Sequence, residues 1–148
     1  MTPLIKKLAA FPAVLRLGKT IYVHGGVTPY WADYGIDLIN KEVSQWFAGH
    51  TEQPIPTQGV DAGNFDDNVM MSRHFSGSAD EVDCALLEES LKLLNADRMI
   101  VAHTVQESIT SRCDEKVWAV DVGMSRYYGG SVQVLEILDA EFISIIHP

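Results

Sequence analysis

The sequence has little of what would take it outside the ordinary globular proteins. It has only two cysteines, Cys84 and Cys113, and no CxxC pair, so it offers neither a disulfide-dense scaffold nor a thiolate metal cluster. At that separation buried free thiols are the first reading, and a single disulfide stays open. No stretch approaches the ~20 apolar residues that a membrane-spanning helix requires. Basic residues are scarce, 11 Lys and Arg against 20 Asp and Glu, giving a net charge of −9. That balance excludes a protein that tracks nucleic-acid phosphates, and it excludes a polybasic membrane surface. An acidic total does not exclude a small anionic substrate, because a local metal or arginine reverses the sign inside a cleft. The chain also lacks a GxxxxGK[ST] phosphate loop, a GxGxxG turn and an HExxH helix, and Ser125 in "GMSRY" lacks the second glycine of a nucleophile elbow.

What is present suits one compact domain. The 148 residues are 47% hydrophobic, enough for a real core, with no internal repeat and no low-complexity tract. The opening "MTPLIKKLAAFPAVLRLG" brushes against a signal-peptide pattern, but Pro12 interrupts its apolar run and Arg16 ends it. An amphipathic helix over 4–10 and a linker are expected there instead. A second helix is expected over 36–47, where Ile36, Ile39, Val43, Trp46 and Phe47 share a face. A third is expected over 79–95, opened by a capping box from Ser78 to Glu81 and striped by Val82, Leu86, Leu87, Leu91 and Leu94. Glu88, Glu89 and Lys92 form its solvated face. Strands are expected at "TIYVH", "RMIVAH", "VWAVDV", "SVQVLEIL" and "EFISII", the last two making a hairpin across Asp139-Ala140. Between the second and third helices runs a long polar loop, "HTEQPIPTQGVDAGNFDDN", of the kind that borders functional sites. The class is mixed α/β (α+β).

Two strands end alike. "IYVH" stops at His24 and "MIVAH" at His103, each followed by small or turn-forming residues. Ligands of open α/β sheets collect outside the carboxyl ends of strands. Gly25 and Gly26 let the chain turn sharply beside the imidazole. Two such histidines could grip one metal ion, or could equally be hydrogen-bonded side chains closing their strands. "NVMMSRHFSG" adds Arg73 and His74; the planar fork of Arg73 matches two phosphate oxygens, though a surface ion pair is its blander role. In "VWAVDVGMSRYYGG", Asp121 could orient a ligand histidine from behind, and Tyr127 and Tyr128 could line a pocket. Core packing is the plain alternative for Trp118 and Tyr127.

In order, "VHGGVTP", "VMMSRHF", "IVAHT" and "VWAVDVGMSRYYGG" resemble the C-terminal half of a calcineurin-like metallophosphoesterase. Within that superfamily the chain is most similar to the serine/threonine phosphoprotein phosphatases, especially the Shewanella-like branch. The resemblance runs from about Leu4 onward. It implies part of a four-layer αββα sandwich, residues 1–148 forming the C-terminal half of a single domain whose N-terminal metal-binding half is absent. By position, His24 and His103 are implied as ligands of a second metal ion and Arg73 as the phosphate clamp. Ala102 stands where the Gly-His-Thr pattern has glycine, a mild departure.

The larger departure is an absence. The Gly-Asp-x-His-Gly, Gly-Asp-x-x-Asp-Arg-Gly and Gly-Asn-His-Glu motifs of the family do not occur here, and Asp61, Asp66 and Asp67 follow His24, so they cannot be those motifs displaced. An intact relative implies a dinuclear centre of manganese, iron or zinc with a bridging hydroxide, acting on a phosphorylated protein. For this chain the expectation is at most one weakly bound ion and little activity, since two histidines fall short of the three protein ligands usual for a catalytic zinc. A complementary N-terminal chain is an expected partner, together with poor solubility of the free chain or self-association through exposed strand edges. The alternatives are a non-catalytic phosphatase fragment serving as a binding module, and a hydrolase of dinucleoside polyphosphates or other small phosphoesters. A cytoplasmic location is expected, any signal peptide lying in the absent half.

Overall fold

A computed structural model describes residues 3–51, 67–78, 80–139 and 141–147. Most of the long polar loop, and Ala79 and Ala140, lie outside them. Helix α1 (Pro3–Ala9) leads into strand β1 (Val14–Leu17), which pairs antiparallel with β2 (Thr20–Val23). Helices α2 (Pro29–Tyr34) and α3 (Ile36–Phe47) follow, then α4 (Cys84–Leu93) and β3 (Arg98–Val101). The chain closes with β4 (Thr110–Arg112), β5 (Val117–Ala119) and a hairpin of β6 (Val134–Leu138) and β7 (Phe142–Ile146). The main sheet runs β1-β2-β3-β5-β4, with β2, β3 and β5 parallel and an antiparallel strand on each flank.

Alternation along the three parallel strands makes two different faces. Ile21, Val23, Met99, Val101, Val117 and Ala119 point to one side and pack, all buried, with Trp31, Ile39, Val43, Leu87 and Leu91 from the helices. Tyr22, Ile100, Trp118 and Val120 point to the other, where Leu135, Ile137, Ile143 and Ile145 of the hairpin cover them. The described residues thus form three layers, helices on a five-stranded sheet on a two-stranded one. Each fully buried aliphatic side chain contributes about 1.5–3 kcal/mol to holding the layers together.

Several elements differ from expectation. Helix α3 spans the expected residues, but α2 is an addition that no periodicity announces; Pro29 at its first turn follows Thr28, whose side chain makes no capping bond among the described residues. Helix α4 begins at Cys84, not near residue 79, because Asp83 caps it by accepting from the Leu86 N–H at 2.9 Å. Glu81 Oε2 instead accepts from the N–H and hydroxyl of Ser78, closing a separate turn ahead of the helix. Strands β1 and β4 are too short to show a pattern in sequence. The two cysteines are not free thiols: Cys84 and Cys113 form a disulfide with Cα atoms 5.4 Å apart. The β4–β5 turn brings Cys113 to the start of α4, a proximity that their spacing of 29 residues hides. Among the described residues no helix is long and apolar enough to cross a membrane.

Candidate active site

Parallel pairing of β2 and β3 sets the site. The register matches Thr20 with Arg98 and Tyr22 with Ile100, and the Ala102 N–H extends it by donating to the His24 carbonyl at 2.8 Å. His24 and His103 therefore leave neighbouring strands at the same carboxyl edge. His103 lies one residue past this register and takes φ +65, a left-handed conformation that costs an L-residue about 1–2 kcal/mol. Across it the Thr104 N–H donates to the Ala102 carbonyl at 2.7 Å, closing a γ-turn of the rare, strained hand. The turn swings the ring back toward its neighbour, so that His24 Nε2 and His103 Nδ1 stand 3.1 Å apart.

Two glycines after His24 serve a purpose other than a sharp turn. Neither has positive φ. Both N–H groups donate to the Val69 carbonyl, at 2.8 and 3.2 Å, and a Cβ on Gly25 would lie within 2.9 Å of Ser72 and Met70 backbone atoms. A Cβ on Gly26 would press on the Phe75 ring at 2.8 Å. Glycine is required because the segment bearing Arg73 packs directly on the backbone. That segment is built of turns, with Asn68 Oδ1 accepting from the Met70 and Met71 N–H groups.

Arg73 reaches across to the second histidine. Its Nη1 donates to Thr104 Oγ1 at 2.9 Å and to the His103 carbonyl at 3.3 Å. Thr104 Oγ1 also meets Ser76 Oγ at 2.7 Å, and Gln106 Nε2 donates to the Ser76 and Thr104 carbonyls. Sequence reasoning assigns no role to Thr104, Ser76 or Gln106; the threonine of "IVAHT" is the one visible signal. His74, beside Arg73, points elsewhere and pairs with Asp67 at 3.0 Å.

His103 is held toward its neutral form. Burial lowers its pKa first, then the charges of Arg73 and His24, while Asp121 opposes them. Asp121 thus acts on His103 through its charge, and its Oδ1 accepts from the Gly123 N–H at 3.0 Å. His103 Nε2 is buried without a hydrogen-bond partner among the described residues. Tyr127 and Tyr128 are 89% and 63% exposed, edge to face with one another. Core packing for Tyr127 is therefore overturned, because the 123–130 turn closes on itself through the Gly130 N–H and Gly123 carbonyl. Trp118 is in the core, as its strand position required.

The geometry suits two ligands of one ion. Nitrogens about 2.0–2.1 Å from a shared metal, at angles between square and tetrahedral, stand roughly 2.9–3.4 Å apart. The observed 3.1 Å falls in that interval. The number of donors falls short: among the described residues no group of three or more His, Cys, Asp or Glu is placed to hold a metal ion.

Solved structures show what class of fold this is. Crystal structures described as a cold-active protein-tyrosine phosphatase of a psychrophilic Shewanella species, and a point mutant of such an enzyme, each superpose with TM-score 0.69 over 90% of this chain at 20% identity. The described residues have a phosphatase fold. The sequence points to a particular branch. The chain is 36% identical over 143 residues, 91% of its length, to Shewanella-like protein phosphatase 2 of Arabidopsis thaliana. It is 27% identical over 128 residues to an uncharacterised protein of Schizosaccharomyces pombe. The resemblance to Shewanella-like phosphatases is borne out. No protein-family model matches the chain. The chain spans 35% and 38% of the two curated relatives and 40% of the solved chains.

Proposed function

We propose that this chain is the part of a metal-dependent phosphoester hydrolase that clamps the phosphate and supplies two ligands to one metal ion. One observation carries the reading: Arg73, Thr104, His103 and His24, drawn from three separate segments, converge at the carboxyl edge of β2 and β3. His24 Nε2 and His103 Nδ1 would hold the ion, and a divalent ion there would supply Lewis acidity toward phosphoryl oxygens. Burial and the neighbouring charges of Arg73 and His24 lower the pKa of His103, which favours the neutral ring that metal binding requires. Both contacts of Arg73 use Nη1, which leaves Nε and Nη2, among the described residues, for a bidentate grip on phosphate. Manganese, iron or zinc suits imidazole donors better than calcium does.

The substrate we assign is a phosphorylated protein side chain, serine or threonine in keeping with the motif resemblance. The solved neighbours are described as tyrosine phosphatases, so a panel of all three phosphopeptides on a completed enzyme decides among them. The shortfall of ligands favours one second reading, a non-catalytic fragment that binds phosphorylated partners. Titrating the isolated chain with Mn2+ and with phosphopeptides, beside turnover of p-nitrophenyl phosphate, separates the readings. Weak metal binding lost in His24→Ala, with negligible turnover, is expected. Phosphopeptide binding indifferent to metal and to both histidines would favour the second reading, and robust turnover by the 148-residue chain would sink the incomplete-site reading.

A further inference from the structure

We infer that Thr104 is the positioning residue of the phosphate clamp: its hydroxyl, backed by Ser76, holds the Arg73 guanidinium by Nη1 alone and leaves the opposite edge for phosphate. This role rests on the reading of Arg73 as a phosphate ligand, whereas the hold on its guanidinium is measurable without any activity. Arg73 stands at the exposed rim of the site. A long, rotamer-rich side chain in that position opposes ligand binding by the entropy of ordering it, unless the fold has ordered it already.

The contacts order it in one sense. Arginine has no acceptor, so both contacts at Nη1 are donations, to Thr104 Oγ1 at 2.9 Å and to the His103 carbonyl at 3.3 Å. Nη1 lies cis to Cδ. The far edge of the guanidinium carries Nε–H and Nη2–H, the two parallel donors that match a pair of phosphate oxygens. A tether at Nη1 therefore fixes the plane without consuming that edge. Because the same nitrogen binds the His103 carbonyl, one turn sets the spacing between the clamp and the metal-ligand pair.

The threonine hydroxyl is itself held. Thr104 Oγ1 and Ser76 Oγ are 2.7 Å apart. Ser76 is only 1% exposed, and a buried hydroxyl that donates to nothing is costly, so its proton goes to Thr104. Thr104 Oγ1, half-buried, then accepts from Ser76 and from Arg73 together. The Ser76 N–H donates to the Arg73 carbonyl at 3.3 Å, closing the turn that sets the serine behind the arginine. Gln106 locks the frame: its Nε2 donates to the Ser76 and Thr104 carbonyls, each at 2.9 Å, and its N–H to the Asp121 carbonyl at 2.8 Å. Packing alone does not account for the threonine. Valine has its shape, but it would offer no acceptor to Nη1 and none to the buried serine.

Three substitutions separate shape from hydroxyl. Thr104→Val keeps the shape and removes the acceptor, Thr104→Ser keeps the acceptor, and Ser76→Ala removes the backing. The 148-residue chain, labelled with nitrogen-15 arginine and free of metal, reports the hold directly, because a guanidinium fixed at Nη1 rotates slowly. The Arg73 signals are assigned by their loss in Arg73→Lys. Separate Nη resonances are expected in the parent and in Thr104→Ser, and averaged ones in Thr104→Val. In parallel, inorganic phosphate is titrated calorimetrically into each chain with Mn2+ present. Its affinity should fall about tenfold or more in Thr104→Val, as when a hydrogen bond to a charged group is lost, and stay within about threefold in Thr104→Ser. Ser76→Ala should fall between them. If thermal melts show that Thr104→Val does not fold, Ser76→Ala decides, and a variant indistinguishable from the parent overturns the inference. Averaged Arg73 resonances in the parent, or separate ones in Thr104→Val, overturn it too, as does equal phosphate affinity in the parent and Thr104→Val. Held Arg73 resonances in a parent that binds no phosphate leave the threonine's hold standing and reject the phosphate reading instead.

Discussion

His24 Nε2 and His103 Nδ1 stand 3.1 Å apart although 79 residues separate them in the chain. The parallel register of β2 and β3 and the γ-turn at His103 together produce this distance. Removing either ring should leave the other as a single, weak ligand. His24→Ala and His103→Ala are each expected to lower Zn2+ or Mn2+ affinity at least about tenfold, by analogy with lost supporting contacts at metal sites. Isothermal titration of the isolated chain checks this, and unchanged affinity in both variants would remove the pair as a metal site.

The strained turn makes a second, purely structural expectation. Glycine adopts positive φ without penalty, so His103→Gly should be more stable than His103→Ala by about 1 kcal/mol. Alanine ordinarily wins such comparisons. Urea unfolding of the two variants decides it, and the ordinary ranking would mean that the turn is not held at φ +65.

Gly25→Ala tests the contact between the first strand lip and the Arg73 segment. The new Cβ would lie within 2.9 Å of backbone at Ser72 and Met70, atoms that cannot rotate away. A loss of about 1–3 kcal/mol is expected, typical of overpacking. A melting temperature equal to that of the parent would show that the segment is not packed there.

The Cys84–Cys113 bridge closes a loop of 29 residues between the start of α4 and the β4–β5 turn. The loop-entropy relation gives a stabilisation of about 3–4 kcal/mol for such a loop. Reduction, or the double substitution Cys84→Ser/Cys113→Ser, should lower the urea midpoint accordingly. Equal midpoints with and without reductant would mean that the bridge does not form in solution.

Tyr34 supplies a dependence on pH. Its hydroxyl donates to Glu42 Oε1 at 2.8 Å. Burial first, then the hydrogen bond and charge of Glu42, push its pKa up to about 12. The fold favours the neutral phenol, so this contribution is complete below the unfolded value near pH 10 and is lost as pH rises toward 12. The stability advantage of the parent over Tyr34→Phe should therefore shrink as pH rises from about 10 toward 12. An advantage constant over that range would show that Tyr34 titrates normally.

Local pattern determined a good deal of this protein by itself. The 3.6-residue spacing of Ile36, Ile39 and Val43 placed α3, and β-branched alternation placed β2, β3, β5 and the closing hairpin, because those periodicities are properties of neighbouring residues. The same alternation put His24 and His103 at strand ends, and the motif order pointed to the phosphatase class. Other features belong to the tertiary structure alone. The register of β2 on β3 and the left-handed turn at His103 decided that the two rings meet. Backbone packing on Gly25 decided that Arg73 sits beside them, and gave Thr104 and Ser76 their places. The Cys84–Cys113 pairing and the exposure of Tyr127 were equally invisible along the chain. Each depends on how distant segments stack, and no local periodicity encodes a distance between residues many turns of chain apart.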